Sequence, residues 1–315
     1  MSSKPVLYIV RALPGARLER LVELFEIRGN APRAPPRPQL IEQAAGAAVL
    51  APTYIDRVDG PLLDALPTVR HVASYGVGVN HIDLDACKAR GVLVTNTPGV
   101  LTDATADMAM ALLLAAARRV AEGDRVIRAG GWTEIDPGWM LGAEVTGKTL
   151  GIVGFGRIGQ AMARRAAGFD LRVLYASPRE VAFPGARRVP LDVLLAESDF
   201  VALHTPLTRE TENLLSRERI ASMKRGAVVV NTARGAVVDD AALAEALATG
   251  QLGAAGLDVF RDEPRVPEAL RRLDNVVLTP HLGSGSRETR AAMARLVTEE
   301  VERVARGEPP RHRVV

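Results

Sequence analysis

Short apolar runs alternate with longer amphipathic stretches from one end of the chain to the other. In the first part of the chain the apolar runs are Val6–Val10, Ala47–Leu50, His71–Ser74 and Val92–Thr95. Each is short and apolar enough to predict a buried strand. Helical patterns at Leu18–Phe25 and Ile82–Arg90 separate these runs. This alternation favours parallel sheets with helices on both faces.

A second alternating series begins at Thr149. Its later apolar runs are Leu171–Tyr175, Phe200–Leu203, Ala227–Val230, Ala254–Leu257 and Val276–Leu278, and a helical pattern, Glu288–Ala305, follows them. Between the two series, Leu101–Arg119 is rich in Ala and Leu and has polar residues at its start, which predicts a long helix. Because this helix is apolar on most sides, we expect it to be buried between domains or subunits.

The strand-like run Thr149–Val153 stops at a glycine-rich turn formed by Gly154, Gly156 and Gly159. In a dinucleotide-binding unit the first glycine makes the tight turn and the second lets backbone N–H groups approach a pyrophosphate. The third allows the helix to pack on the strand. A GxGxxG spacing alone is weak, but the strand and the helix that it requires are both present here.

The turn lies near the middle of the chain, so a separate α/β domain of roughly 100 residues precedes it. We therefore predict an α/β protein with two Rossmann-like, doubly wound parallel-sheet domains. The dinucleotide-binding domain covers 99–284, and a substrate domain combines 1–98 with 285–315. The active site is expected in the cleft between the two domains.

The end of the second strand of the dinucleotide unit indicates which cofactor binds. An acidic residue about 20 positions after the glycines ordinarily binds the ribose of NAD(H). Here the segment contains Ala176, Ser177 and Arg179 and no carboxylate. Ser177 can form a hydrogen bond and Arg179 can pair with a 2′-phosphate, so we predict a preference for NADP(H), with NAD(H) as the second cofactor. The alternative is that Arg179 is a solvated loop arginine.

Four further segments form an ordered series along the chain. One precedes the glycine turn, Ser74–Asp83 with Asn96–Gly99, and three follow it, Val230–Gly235, Gly256–Pro264 and Leu278–Ser284. Together with the glycine turn they resemble the D-isomer-specific 2-hydroxyacid dehydrogenases over nearly the whole chain. Within that family the chain is most similar to glyoxylate/hydroxypyruvate reductases.

Three residues in these segments suit the reduction of a 2-keto acid. Arg234 can hold carboxylate and carbonyl oxygens in a bidentate grip. His281 is placed to protonate the forming alkoxide. Glu263 would bind His281, fix its tautomer and favour the imidazolium. The resemblance implies that the backbone amides of Val77 and Gly78 bind the substrate carboxylate.

The resemblance also implies a set of cofactor contacts, with Asp258 on the nicotinamide carboxamide. The set is Gly154, Gly156, Arg157, Ile158, Gly159, Ser177, Arg179, His204, Pro206, Thr211, Thr232, Ala233, Arg234, Asp258, His281 and Gly283.

Composition excludes several other classes. The net charge is +3 with no dense basic block, so we expect no nucleic-acid partner. No apolar run approaches the ~20 residues of a membrane span. Cys87, the single cysteine, lies on an exposed-looking helix and excludes an intrachain disulfide, which fits a cytoplasmic enzyme. No metal is expected, because no cluster has ligand spacing and Arg234 already supplies the electrophilic charge.

Trp132 and Trp139 lie in the segment between the long helix and the cofactor strand. Exposed aromatic residues there indicate a subunit contact, and the family is usually dimeric through this region. We therefore expect a homodimer with Trp139 reaching towards the partner's substrate cleft. The alternative is that both indoles cover the long helix.

The combined prediction is an NADPH-preferring reductase of glyoxylate and hydroxypyruvate that forms D-2-hydroxy acids. Reduction of 2-ketogluconate or hydroxyphenylpyruvate is the alternative within the family. A dinucleotide-sensing, corepressor-like binding protein is the alternative of another class.

Overall fold

Residues 4–315, the part of the chain that this computed structural model describes, form strands and helices in near-strict alternation. The strands are β1 Val6–Ile9, β2 Glu26–Gly29, β3 Ala47–Ala51, β4 His71–Ala73, β5 Leu93–Thr95, β6 Thr149–Val153, β7 Arg172–Ala176, β8 Ala186–Arg188, β9 Phe200–Leu203, β10 Ala227–Asn231, β11 Leu252–Leu257 and β12 Val276–Leu278. The helices are α1 Leu21–Leu24, α2 Arg37–Gln43, α3 Gly60–Ala65, α4 Leu84–Ala89, α5 Thr102–Ala117, α6 Val120–Arg128, α7 Arg157–Ala166, α8 Leu191–Glu197, α9 Arg217–Ser222, α10 Asp240–Ala248, α11 Glu268–Arg271 and α12 Arg287–Ala305.

The first of two compact units comprises the described residues up to Leu101 together with Gly285–Val315. Its sheet has the order β2-β1-β3-β4-β5, and all neighbouring strands are parallel. The C-terminal segment extends the edge of this sheet, because Val314 N–H donates to the Val94 carbonyl at 2.7 Å. The end of the chain is therefore an integral part of the first unit.

The second unit, Thr102–Ser284, is built on a seven-stranded parallel sheet with the order β12-β11-β10-β9-β6-β7-β8. The chain runs outwards from β6 to β8 and then returns to β9 on the other side of β6. Strand order therefore reverses between β6 and β9. In open α/β sheets, ligands bind outside the carboxyl ends of the strands at this reversal.

Both faces of the seven-stranded sheet are covered, which explains why its strands read as continuous apolar runs. Alternate side chains of β9 enter two different cores: Val201 and Leu203 pack on one face, Phe200 and Ala202 on the other. The long helix α5 packs on the second face against α7, β10 and β11. These contacts within its own unit bury residues such as Leu112 and Leu113. The expected position between domains or subunits stays a prediction.

Two local predictions were wrong, and two short strands were not predicted. The helical pattern Leu18–Phe25 yields only the single turn Leu21–Leu24, and the chain then enters the unpredicted strand Glu26–Gly29. The short strand Ala186–Arg188 also escaped prediction, because two of its three residues are arginines. Cys87 is buried, not exposed, and burial raises the pKa of its thiol to about 11, so the thiol stays protonated and inert.

His71 lies on β4 in the core of the first unit, where it is 1% exposed. Its Nε2 pairs with Thr95 Oγ1 at 2.9 Å. Burial lowers the pKa of His71 from 6.5 to about 4, so the native protein holds this ring neutral.

This burial makes the stability of the protein depend on pH. As the pH falls below 6.5 the unfolded chain takes up a proton that native His71 does not, so stability falls, by about 2.5 kcal/mol at pH 4.5 from this residue alone. Urea unfolding at pH 7 and at pH 4.5 measures how much free energy of unfolding is lost between these two pH values. That loss should be smaller by about this amount in His71→Gln than in the wild type. Equal losses in the variant and the wild type would contradict the assignment.

Candidate active site

The glycine turn lies at the carboxyl end of β6, where the strand order reverses. Gly154 has φ +90°, and a Cβ at this position would come within 2.7 Å of the His204 carbonyl group. Only glycine fits both the backbone conformation and the space. Helix α7 then begins at Arg157, and its N-cap, Gly156, provides no side-chain cap. The first N–H groups of this ten-residue helix therefore donate no hydrogen bond to an N-cap side chain.

These features fit a dinucleotide. Open space surrounds the position of a Cβ on Gly156, so a phosphate can approach the backbone there. A cavity of about 710 Å³ adjoins the turn, and its lining includes Gly154, Ser177 and Thr211. Three of the predicted cofactor residues therefore meet at one cavity within the second unit. Arg179 is not part of this lining.

His204 supplies an independent indication of a ligand. Its Nδ1 is 3.4 Å from Thr232 Oγ1, whereas its buried Nε2 has no hydrogen-bond partner among residues 4–315. Burial lowers the pKa of His204 to about 4, so the ring is neutral. Because buried polar atoms are nearly always paired, this nitrogen fits a contact with a bound group.

Arg234 follows β10 and is positioned by the preceding strand end. Asn231 receives a hydrogen bond from the Ala233 N–H at 3.0 Å and donates from Nδ2 to the Arg234 carbonyl at 2.9 Å. The Arg234 guanidinium donates to the Ala233 carbonyl at 2.6 Å. Burial lowers the pKa of Arg234, and the nearby Glu263 carboxylate opposes that shift. An arginine stays charged even so, which leaves a half-buried cation with no ion pair in the described chain.

Asp258 follows β11 and is 1% exposed. One of its oxygens accepts from Thr279 Oγ1 at 2.6 Å and from the Leu282 N–H at 2.7 Å. The other accepts from the Gly283 N–H at 2.7 Å. Burial raises the pKa of Asp258, while these three hydrogen bonds act in the opposite direction. One carboxylate thus holds the whole turn that follows β12.

That turn carries His281, which has φ +55°. This left-handed conformation is uncommon for a residue other than glycine and is kept here by the surrounding bonds. His281 Nδ1 is 2.7 Å from Glu263 Oε2, and the other Glu263 oxygen accepts from the Phe260 N–H at 3.0 Å. Burial acts to raise the pKa of Glu263, but the hydrogen bond and charge of His281 outweigh it and lower the pKa.

Most predicted site residues lie at carboxyl ends of strands in the second unit. The charge of Glu263 acts on Arg234, and Glu263 pairs with His281, so the three predicted catalytic residues lie in one neighbourhood. Arg157 and Ile158 form the first turn of α7, and the Pro206 carbonyl accepts from Thr211 at 2.7 Å.

Val77 and Gly78 belong to the first unit, in the loop after β4. The Val77 carbonyl accepts from Asn96 Nδ2 at 2.8 Å, and the Gly76 carbonyl accepts from the Thr97 N–H at 3.0 Å. These bonds brace the loop. Its role towards the substrate carboxylate stays a prediction.

Sequence reasoning missed three residues near the site. Asn231 and Thr279 act only through the hydrogen bonds that hold Arg234 and Asp258, and such partners have no spacing signature. Arg188 lines the 710 Å³ cavity from the strand that was not predicted.

Residues 4–315 contain neither a cluster of metal-ligating side chains nor a membrane-spanning helix. No group of three or more His, Cys, Asp and Glu residues there could hold a metal ion. No helix in the same range is long and apolar enough to span a membrane.

The role of Asp258 can be tested by replacing it with asparagine. In Asp258→Asn the amide nitrogen would face one of the three donors, so the free energy of unfolding should fall by about 2 kcal/mol in urea titrations. Asp274→Asn is the matched control, because its side chain is 78% exposed and its ion pair with Arg125 contributes little. If the two variants were equally stable, the carboxylate would not be holding the turn.

Comparisons with known proteins agree with this geometry. The family model described as D-isomer specific 2-hydroxyacid dehydrogenase, NAD binding domain, matches residues 110–283. The glyoxylate reductase of Thermococcus litoralis is 46% identical over 98% of this chain and 96% of its own length. The crystal structure of the TT0316 protein from Thermus thermophilus superposes with a TM-score of 0.93, 47% identity and coverage of 98% and 100% of the two chains.

An NADPH-dependent glyoxylate/hydroxypyruvate reductase from Sinorhizobium meliloti, in complex with NADP and malonate, has a TM-score of 0.89 and 33% identity, over 99% of this chain and 97% of that one. These matches confirm the predicted α/β class with two parallel sheets. The chain belongs to the D-isomer-specific 2-hydroxyacid dehydrogenases, a family of NAD(P)-dependent oxidoreductases.

Proposed function

We propose that this protein reduces glyoxylate and hydroxypyruvate to D-2-hydroxy acids and prefers NADPH. The observation that carries the proposal is the 2.7 Å contact between His281 and Glu263, with the Arg234 cation beside them. A proton donor, a group that orients it and a cation for the carboxylate are the parts that reduction of a keto acid requires.

His281 is the proposed proton donor. In the imidazolium form both ring nitrogens carry protons, and Nδ1–H donates to Glu263. The Nε2–H is then the proton that can pass to the keto oxygen. Glu263 accepts this bond while its other oxygen is held by the Phe260 N–H, so the imidazole ring is oriented from its Nδ1 side.

Arg234 is the proposed anchor for the substrate carboxylate and the keto oxygen. Its guanidinium has no carboxylate partner in the described chain, so its charge is available to an anionic substrate. The Val77 and Gly78 amides are proposed as further donors to the same carboxylate.

The nicotinamide, when bound, supplies the hydride that adds to the keto carbon. The chain's own residues would hold the dinucleotide at the glycine turn and the first turn of α7. Asp258 has three of its acceptor positions occupied, and a carboxylate has about four, so one is left for the carboxamide donor that the family resemblance implies.

The names of similar proteins support the substrate class. The relative from Thermococcus litoralis is called a glyoxylate reductase, and the structure from Sinorhizobium meliloti is described as NADPH-dependent and active on glyoxylate or hydroxypyruvate. Assays with glyoxylate, hydroxypyruvate, 2-ketogluconate and phenylpyruvate, each with NADPH and NADH, should give the highest kcat/KM for one of the first two with NADPH. A protein that binds NADPH but oxidises it with none of these acids would be a dinucleotide sensor instead.

Replacement of His281 tests the mechanism. In the same assays His281→Ala should lower kcat by about 10²–10⁴-fold, the usual contribution of a general acid, and leave the dissociation constant of NADPH within a few-fold. Glu263→Gln should cause a smaller loss, because its side-chain oxygen still accepts from Nδ1–H but the charge is gone. Unchanged turnover in His281→Ala would exclude His281 as the proton donor.

We also propose a homodimer that forms through the segment around Trp132 and Trp139, which are 54% and 42% exposed. Ile135 and Leu141 in the same segment are 84% and 69% exposed, so a partner would cover four large apolar side chains. Sedimentation should give twice the 33.6 kDa chain mass, and Ile135→Asp should shift the protein towards monomer. A wild-type monomer at micromolar concentration would contradict this. A cytoplasmic location stays a prediction.

A further inference from the structure

Arg188 lies at the end of β8, the edge strand beside β7. The two strands are parallel, and Arg188 is in register with Tyr175, the residue before Ala176 at the end of β7. Its guanidinium crosses to the loop after β7. There Nε donates to the Ser177 carbonyl at 3.1 Å and Nη2 donates to the Pro178 carbonyl at 3.0 Å. These two bonds fix the plane of the guanidinium against the loop backbone.

The remaining charge of Arg188 faces the cavity. Arg188 lines the 710 Å³ cavity together with Ser177 and Gly154. Within residues 4–315, Arg188 forms no ion pair with a carboxylate, and its Nη1 has no hydrogen bond. The loop therefore holds a preorganised cation beside the end of the second strand of the dinucleotide unit, where the adenosine ribose lies in this fold.

The two neighbouring arginines differ from Arg188. Arg187, the preceding residue on β8, pairs with Glu197 at 3.2 Å and lines a separate cavity, because alternate residues of a strand point to opposite faces. Arg179 is exposed, as Arg188 is, but it lies outside the lining of the 710 Å³ cavity and has no hydrogen bond or ion pair in the described chain. Of the three arginines, only Arg188 is both fixed in place and directed at the cavity.

Glu180 and Glu210 line the same cavity. Their charges oppose the binding of an additional phosphate, so discrimination in favour of a phosphate requires a cation close to it. A guanidinium with free N–H groups matches phosphate oxygens in geometry as well as charge.

We propose that Arg188, rather than Arg179, is the residue that selects NADPH over NADH by binding the 2′-phosphate. The inference rests on the NADPH preference in the proposed function and assigns that preference to one side chain. Ser177 contributes a hydroxyl from the loop that Arg188 holds.

Equilibrium titration of the full-length protein with NADPH and with NADH, followed by calorimetry, tests this assignment without any turnover. Arg188→Ala should raise the dissociation constant of NADPH at least tenfold, which corresponds to about 1.4 kcal/mol, and should change the dissociation constant of NADH by less than twofold. Arg187→Ala is the matched control, because it removes an equal charge from the same strand, and both affinities should stay within twofold. Arg188→Lys should be intermediate, since the charge remains but the fork that spans the two carbonyl groups is lost.

Several results would overturn the assignment. If Arg179→Ala lost NADPH selectivity and Arg188→Ala kept it, the phosphate would be bound by Arg179. Equal weakening of NADPH and NADH in Arg188→Ala would mean that Arg188 only supports the loop. A wild-type protein that bound NADPH no more tightly than NADH would also overturn it. Absence of keto-acid turnover in the wild type, by contrast, would contradict the proposed reaction and not this binding role.

Discussion

The buried carboxylate of Asp258 is the interaction on which the candidate site depends. It follows β11, and its three donors all come from the turn after β12, so one side chain joins the ends of two neighbouring parallel strands. The turn places His281 in a left-handed backbone conformation that costs free energy in isolation. The hydrogen bonds to Asp258 offset that cost and fix the direction of the imidazole.

The rest of the site follows from the parallel arrangement of the sheet. Because the strands of the second unit are all parallel, their carboxyl ends lie along one edge. The glycine turn follows β6, Arg234 follows β10, and Glu263 and His281 follow β11 and β12. Residues more than 100 positions apart in sequence are thus presented on the same side of one rigid sheet. This arrangement places the charged groups with little freedom to reorganise, which is what electrostatic catalysis requires.

Sequence patterns predicted the parts of this structure that depend on burial. The buried strands Thr149–Val153 and Phe200–Leu203 were predicted at their observed bounds, because a strand covered on both faces has to be apolar throughout. The order of the sequence motifs indicated Arg234, Glu263 and His281 as the candidate catalytic residues. Two edge strands escaped prediction: β2 has only partly buried or exposed residues, and β8 has two arginines, so neither carries an apolar pattern.

Arg188 shows why part of the site could not be predicted. Its relation to the loop at Ser177 depends on the pairing of β7 with β8, and pairing register is a tertiary property. In the sequence, the cation nearest to the end of β7 is Arg179, but this residue lies outside the lining of the 710 Å³ cavity. The unpaired Nε2 of His204 is likewise invisible in the sequence, since it depends on which atoms the fold leaves near that ring.

Transfer of a labelled hydride tests the central claim, that this site reduces a 2-keto acid stereospecifically. The protein would be incubated with hydroxypyruvate and NADPH carrying deuterium at both C4 positions of its dihydronicotinamide ring, and the product examined by mass spectrometry and chiral chromatography. The expected product is D-glycerate with one deuterium at C2. L-Glycerate, glycerate without deuterium, or no product would contradict the claim.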